Sequence, residues 1–213
     1  VEKLENDSYR VRGGDYIARD YDIEPDVSAA CYFYALAAAT GKRAMVKRMR
    51  KESLQGDMKF ISLLEKMGCT VSWERDGRQN LWLKGPDGKL KGMEVKMSDF
   101  SDQALTLAAI APFADSEVTI TGIAHIRGQE SDRIKVIVDE LAKMGILCNE
   151  LPDGVKIHPG TPKNTNIETY NDHRVAMSFA VTGLAGDGMT ILNPMCCKKT
   201  FAGFFDEIDR LEE

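Results

Sequence analysis

A chain of 213 residues, 43% hydrophobic and 29% charged, carries enough apolar surface for a sizeable core, in one domain or two small ones. Its formal net charge of -5 argues against nucleic acid or an anionic membrane as the main partner. Five cysteines (Cys31, Cys69, Cys148, Cys196, Cys197) without C-x-x-C spacing and only three histidines disfavour a disulfide frame and a metal site. No run of about 18 apolar residues and no secretory core is present, so the expected location is the cytoplasm. The chain begins at Val1 and enters a polar stretch at once, which suggests a processed protein or an excised piece of a longer one.

Residues 9–12 alternate as a short strand ended by Gly13 and Gly14, and residues 16–24 are a second extended candidate. Asp26 and Ser28 then cap a helix over 29–40 that is apolar almost all round, hence buried, and Gly41 closes it. A strand is expected at 44–46. A helix opened by Ser53 or by Gly56 and Asp57 runs through 60–67 to Gly68, and strands at 69–73 and 80–83 form a hairpin around Asp76 and Gly77. The order then returns: a polar start at 99–102, helix 104–114, strand 118–121, helix 134–144, Gly145, and a hairpin of 146–149 with 155–158 around Asp153 and Gly154. A third pass has Asn171 and Asp172, helix 175–185, Gly186, strand 189–192, loop 194–199 and helix 201–211.

This order is an internal repeat of βαβαββ units at about 16–90, 91–160 and 161–213, the third incomplete. F-I-S-L-L-E-K-M-G-C-T-V and V-I-V-D-E-L-A-K-M-G-I-L-C share the helix, the Met-Gly stop and the apolar strand after it. Asp26 to Asp57, Asp102 to Asp132 and Asp172 to Lys199 span 31, 30 and 27 positions, so polar residues recur at matching helix starts. The expected fold class is α/β (α+β), with parallel helices packed inward and mixed sheets outward. The third unit lacks its closing hairpin, which leaves a sheet edge and apolar helix surface uncovered. A partner segment is expected to supply those strands, the alternative being residues 9–12.

The chemistry gathers around residues 126–134, I-R-G-Q-E-S-D-R-I, where Arg127, Glu130, Asp132 and Arg133 sit at a loop-to-helix junction that Ser131 or Asp132 can cap. Alone, this pattern also fits surface ion pairs at a solvated helix start, which contribute little. Packing around a pseudo-threefold axis would bring Asp26, Asp102 and Asp172 together with Arg133, Arg174 and Lys199. Three cations beside helix N-termini suit a compact dianion such as phosphate, and the facing carboxylates suit proton transfer.

The motifs E-P-D-V-S-A-A-C-Y-F (24–33), L-Q-G-D (54–57), S-D-Q-A-L-T (101–106), R-G-Q-E-S-D-R (127–133), Y-N-D-H-R-V-A-M (170–177) and K-K-T-F (198–201) cover nearly the whole chain. In this order they resemble the enolpyruvyltransferase (carboxyvinyltransferase) family, most closely its shikimate branch. The resemblance implies an inside-out α/β barrel domain, the C-terminal one of two similar domains. Shikimate 3-phosphate and phosphoenolpyruvate would bind in the cleft between this domain and the N-terminal domain of the same protein. It further implies transfer of the enolpyruvyl group to the shikimate 5-hydroxyl with loss of phosphate, a monomeric full-length protein, and no cofactor or metal.

Residue by residue, the resemblance places Asp102 on the carboxylate that holds and deprotonates the 5-hydroxyl, and Glu130 on the proton donor to the methylene carbon. Arg133, Arg174 and Lys199 fall on cations that grip phosphoenolpyruvate, with Asp172 as the acidic member of the N-D-H-R loop. Gln129 replaces a usual lysine and His125 a frequent asparagine, both facing shikimate 3-phosphate in the family, while Ala202 replaces a proline after K-T-F. Asp26 and Asp132 are supporting residues. The neighbouring readings are an enzyme acting on a UDP-linked amino sugar (UDP-N-acetylglucosamine) and a non-catalytic interaction domain that kept the fold. Without the other domain, this chain is expected to show no turnover.

Overall fold

In the computed structural model the described residues are 1–74 and 79–211. The turn expected at Asp76 and Gly77 lies outside them. Helix α1 is Val27–Thr40, capped by Asp26, whose side chain accepts from the Ala29 N–H at 3.2 Å. Its end needs the left-handed region: Gly41 has φ +67°, and a Cβ there would stand 2.9 Å from the Pro86 carbonyl oxygen. Strand β1 (Glu2–Lys3) pairs with β2 (Tyr9–Arg10), and both are exposed. Residues 16–24 form no strand, correcting the expectation of an extended element. Tyr16, Ile17, Tyr21 and Ile23 of that stretch are exposed, so its apolar side chains meet no core that would hold them in register.

After α1 come β3 (Arg43–Val46), α2 (Met58–Lys66), β4 (Thr70–Trp73) and β5 (Leu81–Lys84). The strands form an antiparallel sheet in the order β3-β5-β4, with Ala44, Leu83 and Val71 in one row. Helix α2 is amphipathic and buries Phe60, Ile61, Leu63 and Leu64.

Strand β6 (Glu94–Lys96), helix α3 (Ala104–Ile110), β7 (Val118–Thr121), α4 (Arg133–Lys143), β8 (Cys148–Leu151) and β9 (Gly154–Ile157) follow. Their sheet has the order β6-β7-β9-β8, with β6 and β7 parallel and the other pairs antiparallel. Gly154 lies against β7, where a Cβ would come within 1.8 Å of the Ile120 carbonyl oxygen. The helix expected over 104–114 is shorter, because after Ile110 the chain tightens into a 3-10 turn, Ala111–Phe113, with Pro112 inside it.

The last part holds β10 (Asn166–Ile167), α5 (His173–Ala185), β11 (Thr190–Ile191) and α6 (Phe204–Asp209), with β10 and β11 paired in parallel. The expected loop 194–199 is a 3-10 helix, Pro194–Lys199, and the helix expected from 201 begins only at Phe204. Strands β1 and β2 lie against each other, so residues 9–12 do not supply the missing hairpin beside β11.

The core runs between the helices. Every residue of α3 is buried, and so are ten residues of α5 and eight of α1. Asp102 meets Arg174, Thr106 meets Ser178 and the Ala109 carbonyl meets Thr182, separations of 72, 72 and 73 residues. A nearly constant offset means that α3 and α5 run parallel, with their N-termini at one end. Ser28, at the start of α1, and Gln103, just before α3, both donate to the Asp57 carboxylate that precedes α2, which brings those starts to the same end. No helix among the described residues is long and apolar enough to cross a membrane.

Candidate active site

The convergent helix starts gather the charged residues. Arg133 is the first residue of α4 and is 2% exposed. Its Nε donates to Asp172 Oδ2 at 2.8 Å, and its Nη2 donates to Asp172 Oδ1 at 3.2 Å and to Glu130 Oε2 at 2.9 Å. Its Nη1 donates to the Gln129 side-chain oxygen and lies 3.6 Å from Asp102 Oδ1. A buried guanidinium with carboxylates around its fork is the arrangement that makes burial of the charge tolerable.

The remaining cations close the cluster. Arg174 Nη2 donates to Asp102 Oδ2 at 2.8 Å, and Lys199 Nζ donates to Glu130 Oε1 at 3.2 Å. Lys199 ends the 3-10 helix Pro194–Lys199, and Phe204 just beyond it packs edge-on against Tyr32 of α1 with ring centres 5.7 Å apart. The Cys197 thiol also contacts the His173 carbonyl oxygen at 3.7 Å, so this turn is fixed to α5 as well.

Asp172 caps α5, accepting from the Arg174 N–H at 2.9 Å and from Ser131 Oγ at 3.0 Å. Burial pushes its carboxyl up, but hydrogen bonding and charge from Arg133, with these two donors, outweigh that and hold it below the usual carboxylate range. Glu130 is also held low, first by its own backbone N–H and then by Lys199 and Arg133 against the opposing effects of burial and Asp172. Three carboxylates (Asp102, Glu130, Asp172) therefore face three cations (Arg133, Arg174, Lys199), and the cluster is balanced in charge.

Other expected residues stand at its margin. Asp132 caps α4 through the Lys135 N–H and pairs with Arg127 at 3.4 Å, on the Glu150 side of the loop. Of the two caps open to α4, Asp132 takes the role and Ser131 turns to Asp172. His125 Nε2 lies 2.8 Å from Ser101 Oγ, beside the turn that carries Asp102. Asp26 caps α1 and, with Tyr32, His173 and Arg174, lines a cavity of about 70 Å³.

Sequence reasoning passed over two side chains here, His173 and Tyr32, and took Asp57 only as a helix start. His173 is 6% exposed, its Nδ1 has no hydrogen-bond partner, and burial and then Arg174 push its pKa below the ordinary value. The buried Tyr32 hydroxyl is likewise without a partner. Asp57 gathers Ser28 and Gln103. The available signal was position: His173 stands between Asp172 and Arg174, and Tyr32 is one helical turn after Ser28 on the same helix. Among the described residues, no group of three or more His, Cys, Asp or Glu side chains is placed to hold a metal ion.

Comparison with known proteins agrees with this architecture. The family model for EPSP synthase (3-phosphoshikimate 1-carboxyvinyltransferase) matches residues 1–208. The 3-phosphoshikimate 1-carboxyvinyltransferase of Nostoc punctiforme is 44% identical over 214 residues, covering 100% of this chain and 49% of that protein. A second form from Halalkalibacterium halodurans is 44% identical over 198 residues, covering 92% and 44%. EPSP synthase from Acinetobacter baumannii superposes with a TM-score of 0.79 at 28% identity over 93% of this chain and 48% of its own. The enolpyruvyl transferase NikO from Streptomyces tendae, at 18% identity and a TM-score of 0.66, shares the fold.

The inward helices and outward sheets are thus those of the enolpyruvyl transferase class. Within that class, the chain belongs to the EPSP synthase family. It spans about half the length of the curated relatives it matches.

Proposed function

We propose that this chain is one domain, the C-terminal part of a two-domain enzyme that moves the enolpyruvyl group of phosphoenolpyruvate onto the 5-hydroxyl of shikimate 3-phosphate. The observation that carries the reading is Arg133, buried where Asp102, Glu130 and Asp172 meet, with Arg174 and Lys199 on the outer sides of those carboxylates. Such a cluster can grip a phosphate and a carboxylate while keeping separate carboxyl groups for taking and giving a proton.

In this reading Asp102 accepts the hydroxyl proton as the oxygen bonds to C2 of phosphoenolpyruvate. Glu130 gives a proton to C3, and a tetrahedral intermediate forms. Glu130, left ionised by that step, takes a proton back from C3 and the double bond is restored as the C2–O bond to phosphate breaks. Arg133, Arg174 and Lys199 neutralise the leaving dianion. Glu130, held low within the cluster, is ionised at neutral pH and cannot donate until that hold is relaxed. A bound dianion that draws Lys199 and Arg133 to itself removes two of the influences holding Glu130 low, so substrate binding would itself prepare the acid. Gln129, bonded to Arg133, and His125, beside the Asp102 turn, would face the shikimate phosphate group.

The charge balance of the cluster limits what the chain does alone. A dianion and a carboxylate entering a neutral site need further cations, which the other half of the protein would bring. The groove beside β11 and α6, about 570 Å³ and lined by Met189, Ile191, Met195 and Phe205, would be covered by a segment from outside this chain. The whole protein is proposed to be a cytoplasmic monomer, a setting that suits five unpaired cysteines.

The test is phosphate release from shikimate 3-phosphate plus phosphoenolpyruvate. It compares this chain alone, this chain mixed with the remaining half, and the full-length protein, with UDP-N-acetylglucosamine as a rival acceptor. Release only when both halves are present, and only with the shikimate acceptor, is expected. Release with the UDP-sugar instead, or none from an assembled protein that binds neither substrate, would overturn the reading.

A further inference from the structure

The reading of the site leaves one fully buried carboxylate unused. Glu140 is 0% exposed, yet it lies on α4, the helix that begins with Arg133. Seven residues make almost two helical turns, so Arg133 and Glu140 project from the same face. Both reach the same loop. Arg133 holds Asp172, while Glu140 Oε1 accepts from the Tyr170 hydroxyl at 2.8 Å and Glu140 Oε2 from the Glu168 N–H at 3.3 Å.

The loop needs such a hold. Tyr170 and Asn171 have φ of +52° and +56°, two consecutive left-handed residues immediately before Asp172. Asparagine tolerates that region, but tyrosine does so only where its surroundings impose it. The Asp172 N–H donates to the Thr169 carbonyl at 2.8 Å, which closes the turn but leaves its tilt against α4 open. Glu140 fixes that tilt at Glu168 and Tyr170, and Arg133 fixes it at Asp172.

A simpler account is a helix ion pair, since Lys143 Nζ donates to Glu140 Oε1 at 2.7 Å. The burial argues otherwise. The Lys143 side chain is 41% exposed and the Glu140 side chain 0%, whereas a carboxylate serving only that lysine would sit in solvent beside it. A carboxylate also suits three donors, because all its lone pairs accept, whereas an amide would turn an NH₂ toward one of them.

We propose that Glu140 is a positioning residue for the anion site: through Tyr170 and the Glu168 N–H it sets the loop whose Asp172 orients Arg133 and caps the helix carrying Arg174. This rests on the function proposed above for the assembled site. The contribution is indirect, since Glu140 touches neither Arg133 nor Arg174.

The experiment uses the full-length protein with Tyr170→Phe, Glu140→Gln and the double variant. Tyr170→Phe removes only a hydroxyl from a part-exposed ring, so the fold survives even if Glu140→Gln is poorly tolerated. Each single variant is expected to raise KM for phosphoenolpyruvate about tenfold, the scale of a lost hydrogen bond to a charged group. KM for shikimate 3-phosphate stays put, and the double variant is no worse than the more affected single one. Amide exchange is the second readout. The Arg174 N–H, which bonds Asp172, should exchange faster in Tyr170→Phe while amides in the middle of α5 do not.

Additive effects in the double variant would overturn the proposal, as would a lowered Tm with unchanged KM and unchanged Arg174 exchange. If the unaltered protein shows no phosphate release, the function proposed for the site falls. The Arg174 exchange then still decides what Glu140 does.

Discussion

Two buried aspartates at the same end of the molecule have opposite company. Asp57, 8% exposed, is held by neutral donors, Ser28 Oγ and Gln103 Nε2 at 2.7 Å, and fastens the starts of α1 and α2 to the turn before α3. Asp172, 0% exposed, is held by the Arg133 guanidinium, itself shared with Glu130 and approached by Asp102. The first corner is a fastening between neighbouring helices. The second is a buried network of opposite charges, which is what the proposed anion site would draw on.

Removing the cation separates the two corners most sharply. Arg133→Met should leave Asp172 buried without its counter-charge and cost about 3–5 kcal/mol in urea unfolding of this chain. Phosphate release by the full-length protein should be abolished. Arg133→Met with Asp172→Leu should regain most of that stability, short of about 1 kcal/mol for the lost cap on α5, and regain no activity. Recovery of turnover in the double variant would show that the charged corner is only structural. At the other corner, Asp57→Ala should cost about 1–3 kcal/mol by leaving Gln103 and Ser28 without an acceptor, while turnover per folded molecule holds.

Acid should probe the charged corner next. His173 and Asp172 both bind protons more weakly folded than unfolded, relative to ordinary values of 6.5 and 3.8. The stability each adds is complete above its unfolded pKa and is lost as pH falls through that value toward the folded one. Two windows of weakening are therefore expected, from 6.5 downward for His173 and from 3.8 downward for Asp172. His173→Gln should flatten the upper window and leave the lower. An upper window equally steep in His173→Gln, read from urea midpoints across pH, would remove His173 as its source.

The same contrast explains what the sequence made legible. Helices α1, α2, α4 and α5 were readable because an apolar run, an aspartate before each helix and a glycine within two residues of its end coincide. Asp102, Asp172, Arg133, Arg174 and Lys199 could be expected together because the repeat puts them at corresponding helix starts, whereas Glu130 was placed by the family resemblance, and Asp26, expected with them, caps α1 at the margin of the cluster. Glu140 was not singled out and Asp57 was read only as a helix start, since burial of a charged residue depends on what folds over it, and the loop at 168–172 and the turn at 101–103 are far away in sequence. Residues 16–24 failed in the opposite direction. Their composition reads as an extended segment, but strand formation needs a partner edge and a core to receive one face.

Arg127 gives the smallest expected effect and the cleanest control on the whole comparison. It lies six residues before Arg133, at the other end of the same loop, and has two carboxylates near it against three for Arg133, Glu150 at 2.6 Å and Asp132 at 3.4 Å. Its side chain is 30% exposed against 2% for Arg133, so water screens both pairs and little desolvation has to be offset. Arg127→Gln should change stability by no more than about 1 kcal/mol, an effect that shrinks further at high salt, and should leave phosphate release unaltered. A loss of turnover comparable to that of Arg133→Met would mean that the helix-start charge pattern, and not the buried convergence of side chains on Arg133, is what the site uses.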